Sequence, residues 1–327
     1  MSDTPYFSIG VTTFKRRELL LETLSSILAQ TFADFEVIVG NDNTAESLTV
    51  ETLGIDDRRV QIVNHAVNLG EIGNMNELLA QSRGSYFTWL ADDDLYTPDF
   101  LQAVRDAHER YGSVNCVFTN YESGATCEPV RVAYTDSIRR ISGRDFLRAY
   151  LGRKLKAIGC YGVFDLRYLR GIGGIEQLGS GFSPYSDNLL VIKAGALEGL
   201  CYIDAPLIFF RTHPGSISYS SPDLDAYLTA QEDLCARALE IFKTPLLQHD
   251  MHHNLYQLLS HWCLTFMFHV LRRPQKVRSG YLRDYGRFLY EYSGALGAYR
   301  IGLAAVTVRL LVSHWLFCLM RGRAGTA

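Results

Sequence analysis

Along the first third of the chain, short apolar runs alternate with stretches whose apolar residues return every three or four positions. "FSIGVT" (7–12) reads as a strand, "RRELLLETLSSILAQ" (16–30) as a helix, and "FEVIVGND" (35–42) as a strand that ends in polar residues. "RVQIVNH" (59–65) predicts a third strand, "IGNMNELLAQS" (72–82) a helix, and "SYFTWLAD" (85–92) a fourth strand. "TPDFLQAVRDAHERY" (97–111) predicts a helix with Thr97 as N-cap and Pro98 in its first position. Such alternation builds βαβ units around a largely parallel sheet.

Beyond residue 112 the pattern changes. Antiparallel-looking runs "VNCVFTNY" (114–121) and "IGCYGVFD" (158–165) precede a glycine-rich loop, "GIGGIEQLGSGF" (171–182). A short helix around "SDNLLVIKAGALEG" (186–199) and the run "APLIFFRTHPGSIS" (205–218) follow. From about residue 222 no strand pattern remains and the tail reads as helical. We therefore expect an α/β domain over 1–220 and a helical C-terminal region over 221–327.

With 327 residues, 47% of them hydrophobic, the chain can bury a large core. A net charge of −3 gives no basic face for a phosphate backbone, so a nucleic-acid partner is not expected. The charge is unevenly spread: from Val270 onward there are ten Lys or Arg against two Asp or Glu, and elsewhere 22 against 33. The two ends should meet different partners. Cys116, Cys127, Cys160, Cys201, Cys235, Cys263 and Cys318 form no C-x-x-C pair and are odd in number, as for thiols in a reducing compartment. "MSDTPYFSIG" lacks the basic and apolar segments of a signal peptide, so a cytoplasmic location is expected.

Candidate chemistry gathers where the strands end. In an open α/β sheet, ligands collect beyond the carboxyl ends of the strands. Thr12-Thr13, Asn41-Asp42-Asn43 and Asp92-Asp93-Asp94 all fall there. Three consecutive carboxylates repel one another unless a cation, a helix N-terminus or open water receives them. Asp94 and Asp99 can serve the dipole of the helix that follows, whereas Asp92 and Asp93 at a ligand edge suit Mg²⁺ or Mn²⁺ shared with a phosphate.

"VTTFKR", then "VIVGNDNT", then "NLGEIGNMNELLAQSRGSYFTWLADDDLYTPDFL" resemble, in order and spacing, the family 2 inverting nucleotide-sugar glycosyltransferases of the GT-A fold. The resemblance covers residues 6–215 and is clearest over the first 110. It implies a doubly wound, mostly parallel sheet, a nucleoside diphosphate donor, commonly UDP-linked, and a Mn²⁺ or Mg²⁺ cofactor. It places Thr12 and Thr13 at the nucleotide, Asp42 on the base, Asp92 beside the ribose and diphosphate, and Asp93 on the cation. Many members read L-D-x-D-D where this chain has Leu90-Ala91-Asp92-Asp93-Asp94, and counting back from Pro98 leaves Asp93 on the cation in either version.

The resemblance also implies Asp187 as the base that takes the acceptor's proton, although Ser186 or Asp187 can equally be a helix cap. His213 becomes a candidate cation ligand and Arg211 a candidate phosphate contact; a structural histidine is the alternative. Asn68, Gly70 and Asn76 resemble donor-side positions, and Ser183 and Tyr185 are candidate acceptor contacts. The glycine-rich loop lacks a phosphate-cradle pattern and is expected to move on the acceptor side. His249 and His253 stand four apart, and we read them as a packed or solvated face.

"YRIGLAAVTVRLLVSHWLFCLMRGR" (299–323) is nearly long enough to span a bilayer but carries Arg309 in its middle. Arg300, Thr307, His314 and Arg321 recur every seven residues as one polar stripe, which suits a helix lying in the membrane interface or packed on its own domain. The expectation is thus a metal-dependent inverting transferase acting on a glycan or lipid-linked glycan, with peripheral contact at the inner face of the plasma membrane. A nucleotidyltransferase and a non-catalytic glycan- or membrane-binding module are the rivals.

Overall fold

A computed structural model describes residues 4–126, 130–180, 183–213, 215, 224–265, 267 and 280–324, the last eight as backbone. The expected boundary at Ser220, Cys127, and the side chains of Cys318 and Arg321 lie outside the described residues. Strands β1 (Phe7–Thr13), β2 (Phe35–Asn41), β3 (Val60–Asn64) and β4 (Tyr86–Ala91) run parallel in the order β3-β2-β1-β4. The sheet continues through β5 (Leu95–Tyr96), β6 (Cys116–Gly124), β7 (Ile138–Ile141), β8 (Val163–Asp165) and β9 (Leu200–Arg211), nine strands in all. Beyond β4 the order is β8-β6-β9-β5, with β7 also on β9. β8 is antiparallel to both neighbours, β6 and β9 are parallel, and β5 and β7 are antiparallel to β9.

Period-two side chains divide the strands between two cores. Phe87, Trp89, Phe118 and Tyr202 face one; Tyr86, Leu90, Val117 and Ile203 face the other. The second core is closed by α1 (Arg17–Leu28) and α4 (Phe100–Tyr111), helices whose apolar stripes match their helical spacing. Short α2 (Val50–Leu53) covers the β3 edge. The first core is closed by α3 (Gly70–Gln81), α5 (Gly143–Leu151), α6 (Leu166–Gly171) and α7 (Ser186–Ala194). That core runs without a break into α8 (Leu224–Phe242) and the helices after it, Met251–Gln257, Tyr281–Ser293 and Arg300–Ala324.

One expectation about the helices is corrected. Thr97 does not cap α4; the helix starts at Phe100 behind Asp99, with no side-chain cap. Thr97 N–H donates to Leu207 O at 3.0 Å, extending the β5–β9 pairing, so tertiary pairing holds Thr97 and Pro98 out of the helix. Along the polar stripe of the last helix, Arg300 is exposed. Thr307 and His314 are partly covered, whereas Ile301 (83% exposed), Val308, Leu311, Val312, Trp315 (61%) and Leu316 point outward.

Candidate active site

Register brings the predicted residues to one edge. Thr13 lies opposite Asn41 and Thr12 opposite Ala91, so Asp42 and the acids after β4 continue from adjacent strand ends. Gly40 admits α3 against the sheet: a Cβ there would lie 2.0 Å from Asn74 Oδ1.

The three consecutive acids point three ways. Asp92, fully buried, accepts from Thr13 Oγ1 at 2.6 Å and pairs with Arg16 Nη2 at 2.6 Å. Asp93 Oδ2 accepts from Arg16 Nη1 at 2.7 Å and lies 3.0 Å from His213 Nε2. Asp94 accepts from the Tyr161 hydroxyl through Oδ2 and from Arg211 N–H through Oδ1 at 2.7 Å, which ties the end of β9 to the acidic run. His213 stands two residues beyond that tie. Burial raises the Asp92 carboxyl to about 6, against the pull of Arg16, and burial with the neighbouring Asp93 raises Asp94 to about 8.

A cavity of about 140 Å³ opens beside them, lined by Arg16, Glu71, Asp93, Tyr161, Asp187 and Arg211 among others. A second lobe of about 210 Å³ holds Thr13, Phe14, Asp42, Asn68 and Gly70. Thr12, Arg16, Glu71 and Ala91 line both lobes and form the wall between them. Glu71 is open to solvent at this junction, yet the protein around its carboxyl, with Asp187 next in effect, lifts it to about 7. The larger cavity of about 620 Å³ between the glycine-rich loop and α8 contains none of the predicted residues.

Asp187 stands in the first turn of α7, where the helix dipole favours its charged form. Cys160 N–H donates to Oδ1 at 2.7 Å, while burial raises the carboxyl above its usual range. The helix-cap alternative is not what the structure shows. The N-cap is Tyr185 without a side-chain bond, and Ser186 Oγ bonds Ser183 Oγ and Glu176 O instead.

The other predicted residues divide. Asp42 lines the second lobe, with its carboxylate accepting from Leu69 N–H at 2.6 Å and Gly70 N–H at 2.9 Å at the start of α3. Gly70 makes this turn with φ +71°. Arg211 lines the acidic lobe, but its guanidinium pairs with Glu22 at 2.6 Å, so its phosphate role is not carried by this geometry. Asn76 is no donor contact: it donates to Ile175 O at 2.8 Å and accepts from Ile175 N–H at 3.1 Å, pinning the glycine-rich loop. Ser183 and Tyr185 are buried and bonded to Leu178 and Gln231, which removes them as acceptor contacts. His253 packs on Tyr299, and the described residues contain no group of three His, Cys, Asp or Glu fit for a metal.

Sequence reasoning missed Arg16, Glu71, Tyr161 and Phe14. Phe14 is 44% exposed beside Asp42, a position only an exposed aromatic after a strand end could have signalled. The pair Asp93–His213 fits a divalent cation that completes its shell with water and phosphate oxygens, since Mg²⁺-type sites use one or two protein ligands plus substrate.

This sheet, with acids on its carboxyl edge and a helical extension, defines a GT-A-type α/β protein. The model of glycosyl transferase family 2 matches residues 8–167 of this chain. It is 33% identical over 151 residues to the GalNAc(5)-diNAcBac-PP-undecaprenol beta-1,3-glucosyltransferase of Campylobacter jejuni, covering 44% of this chain and 48% of that protein. It is 21% identical over 138 residues to the UDP-Glc:alpha-D-GlcNAc-diphosphoundecaprenol beta-1,3-glucosyltransferase WfgD of Escherichia coli, covering 40% of this chain and 54% of that protein. The chain thus spans about half the length of both relatives. S. aureus TarS 1–349, solved with UDP-GlcNAc, superposes with a TM-score of 0.69 at 15% identity, over 93% of this chain and 88% of that one. That likeness is one of fold.

Proposed function

We propose that the chain is a cation-assisted inverting glycosyltransferase that moves a sugar from a UDP-linked donor to the hydroxyl of a lipid-linked glycan. The observation that carries this reading is the two-lobed cavity, with Asp42 in one lobe, Asp93 and His213 paired beside the other, and Asp187 in its wall. A bound nucleoside lies against Phe14 and Asp42, and its diphosphate crosses the wall near Arg16. Asp93 and His213 would hold Mn²⁺ or Mg²⁺, which would supply Lewis-acid neutralisation of the leaving diphosphate. Asp187 accepts the proton of the attacking hydroxyl; its raised pKa makes it a stronger base than an ordinary carboxylate. The acceptor oxygen bonds to the anomeric carbon as the diphosphate oxygen leaves from the opposite face, in a single displacement.

The undecaprenol diphosphate acceptors in both relatives' names support the lipid-linked acceptor, and the UDP-GlcNAc in the TarS structure supports the donor. The outward apolar face of the last helix supports docking on a bilayer. That helix belongs to a helical stretch, Tyr281–Leu316, which is long and apolar enough to span one, but exposed Arg309 suits the interface plane better. Anionic lipid at the cytoplasmic face would attract the basic tail.

The test is a panel of nucleotide sugars with Mn²⁺ and a polyprenyl diphosphate-linked acceptor, scored for nucleoside diphosphate release and product anomer. UDP release with an inverted product is expected. Pyrophosphate release instead would make the enzyme a nucleotidyltransferase, and no turnover with any donor would leave a binding module. For the membrane contact, flotation with anionic vesicles should be strong for the full chain and lost in Ile301→Glu/Trp315→Glu; equal flotation of both would refute it.

A further inference from the structure

Arg16 spans two neighbouring acids with one guanidinium, Nη2 at 2.6 Å from Asp92 Oδ1 and Nη1 at 2.7 Å from Asp93 Oδ2. The same Asp93 oxygen faces His213 at 3.0 Å. A divalent cation needs a carboxylate oxygen at roughly 2.0–2.1 Å, and a guanidinium on that oxygen would meet it as a like charge at close range. Arg16 and a cation therefore compete for Asp93. The arginine also has somewhere to go, because it belongs to the wall common to both lobes, where a donor spanning them must carry its diphosphate. Its side chain is 25% exposed, against 0% and 11% for the two acids, so it is the member of the trio most open to solvent. The chain reaches it through Lys15, which holds a left-handed φ of +59° although it has a side chain, a backbone cost that recurs at functional sites.

We propose that Arg16 is an exchangeable counter-cation. It holds Asp92 and Asp93 together in the donor-free protein, then yields Asp93 and turns to the diphosphate when nucleotide and cation enter. The inference rests on the donor-and-cation reading of the site and adds a consequence: cation binding is conditional on the nucleotide. No bond is made or broken; a guanidinium changes its anionic partner.

Mn²⁺ titration of the full chain, followed by the paramagnetic resonance of free Mn²⁺ and corrected for Mn²⁺ bound by UDP alone, tests this without turnover. In the wild type, UDP should tighten Mn²⁺ by about tenfold or more. In Arg16→Gln, Mn²⁺ alone should bind about tenfold tighter than to the wild type alone, with little further gain from UDP. Asp93→Asn should lose binding in every case. Arg16→Lys keeps a positive charge that cannot bridge both acids; it should bind Mn²⁺ alone several-fold more tightly, and it carries the test if Arg16→Gln does not fold. If the folded Arg16 variants bind Mn²⁺ no tighter than the wild type, while the wild type with UDP binds it through Asp93, the exchange is refuted and the donor-and-cation reading stands. If no protein binds Mn²⁺ even with UDP, both fall.

Discussion

Replacing Asp187 by Asn isolates the proposed base. The amide keeps the carboxylate's shape, and its oxygen can still accept from Cys160 N–H, the 2.7 Å bond that orients Oδ1. The second lobe, with Asp42 and Phe14, is untouched, so donor affinity should stay within about twofold, a small fraction of one 1.4 kcal/mol decade. What disappears is the capacity to take the acceptor's proton. General-base assistance contributes roughly 10²–10⁴ in rate, so kcat should fall by about that factor, or ~3–5 kcal/mol of transition-state stabilisation at 1.36 kcal/mol per decade. The assay is UDP release at saturating donor and acceptor, with donor affinity measured separately by calorimetry. In the wild type the acidic limb of the pH profile should lie above the usual carboxylate range, because burial raises this group, and the variant should lose that limb. Turnover unchanged in Asp187→Asn would remove the residue from the mechanism and the reasoning with it.

Three further outcomes follow from the geometry. Asp92, Glu71 and Asp94 have folded values of about 6, 7 and 8, above their unfolded ones, so the folded state holds protons that the unfolded chain releases. The stability they contribute is full below pH ~4 and is lost as pH rises through ~6 to 8; the thermal midpoint of the donor-free protein should fall over that window, and Asp94→Asn should flatten its upper part. Asn76→Ala removes both bonds to Ile175 and should cost about 1–3 kcal/mol in urea unfolding, with donor affinity unchanged. Gly159→Ala would set a Cβ 2.0 Å from Asp187 O, so the start of α7 must shift, and kcat should fall more than donor binding does.

The parts of the fold that the sequence made legible are those in which local pattern and tertiary role agree. β1, β2 and β4 are buried apolar runs and β3 is a partly exposed edge strand, and each is found within a residue or two of its expected span. β5 has two residues and β7 four; their existence depends on β9 lying alongside, which no local signal announces. The same pairing overrode the Thr97-Pro98 start signal. At the site, Asp93 and His213 lie 120 residues apart and only the resemblance puts them together in one dimension; the fold sets them 3.0 Å apart. Arg16 sits in "KRR" and looks like any solvated cation; only the acids folded against it distinguish it from Arg17. Asn76, Ser183 and Tyr185 misled because a polar side chain near a motif cannot be told, in one dimension, from one that satisfies a buried backbone.

Gln231 joins three helices. Its amide donates to the Tyr185 hydroxyl, two residues from Asp187, and its carbonyl accepts from the Tyr285 hydroxyl at 2.8 Å. The shelf that bears the proposed proton acceptor is therefore bolted to the same helical mass that offers its greasy flank outward. Trimming the chain after the α/β half would leave the Tyr185 hydroxyl without its Gln231 partner, and any tilt of that mass would be felt at the shelf.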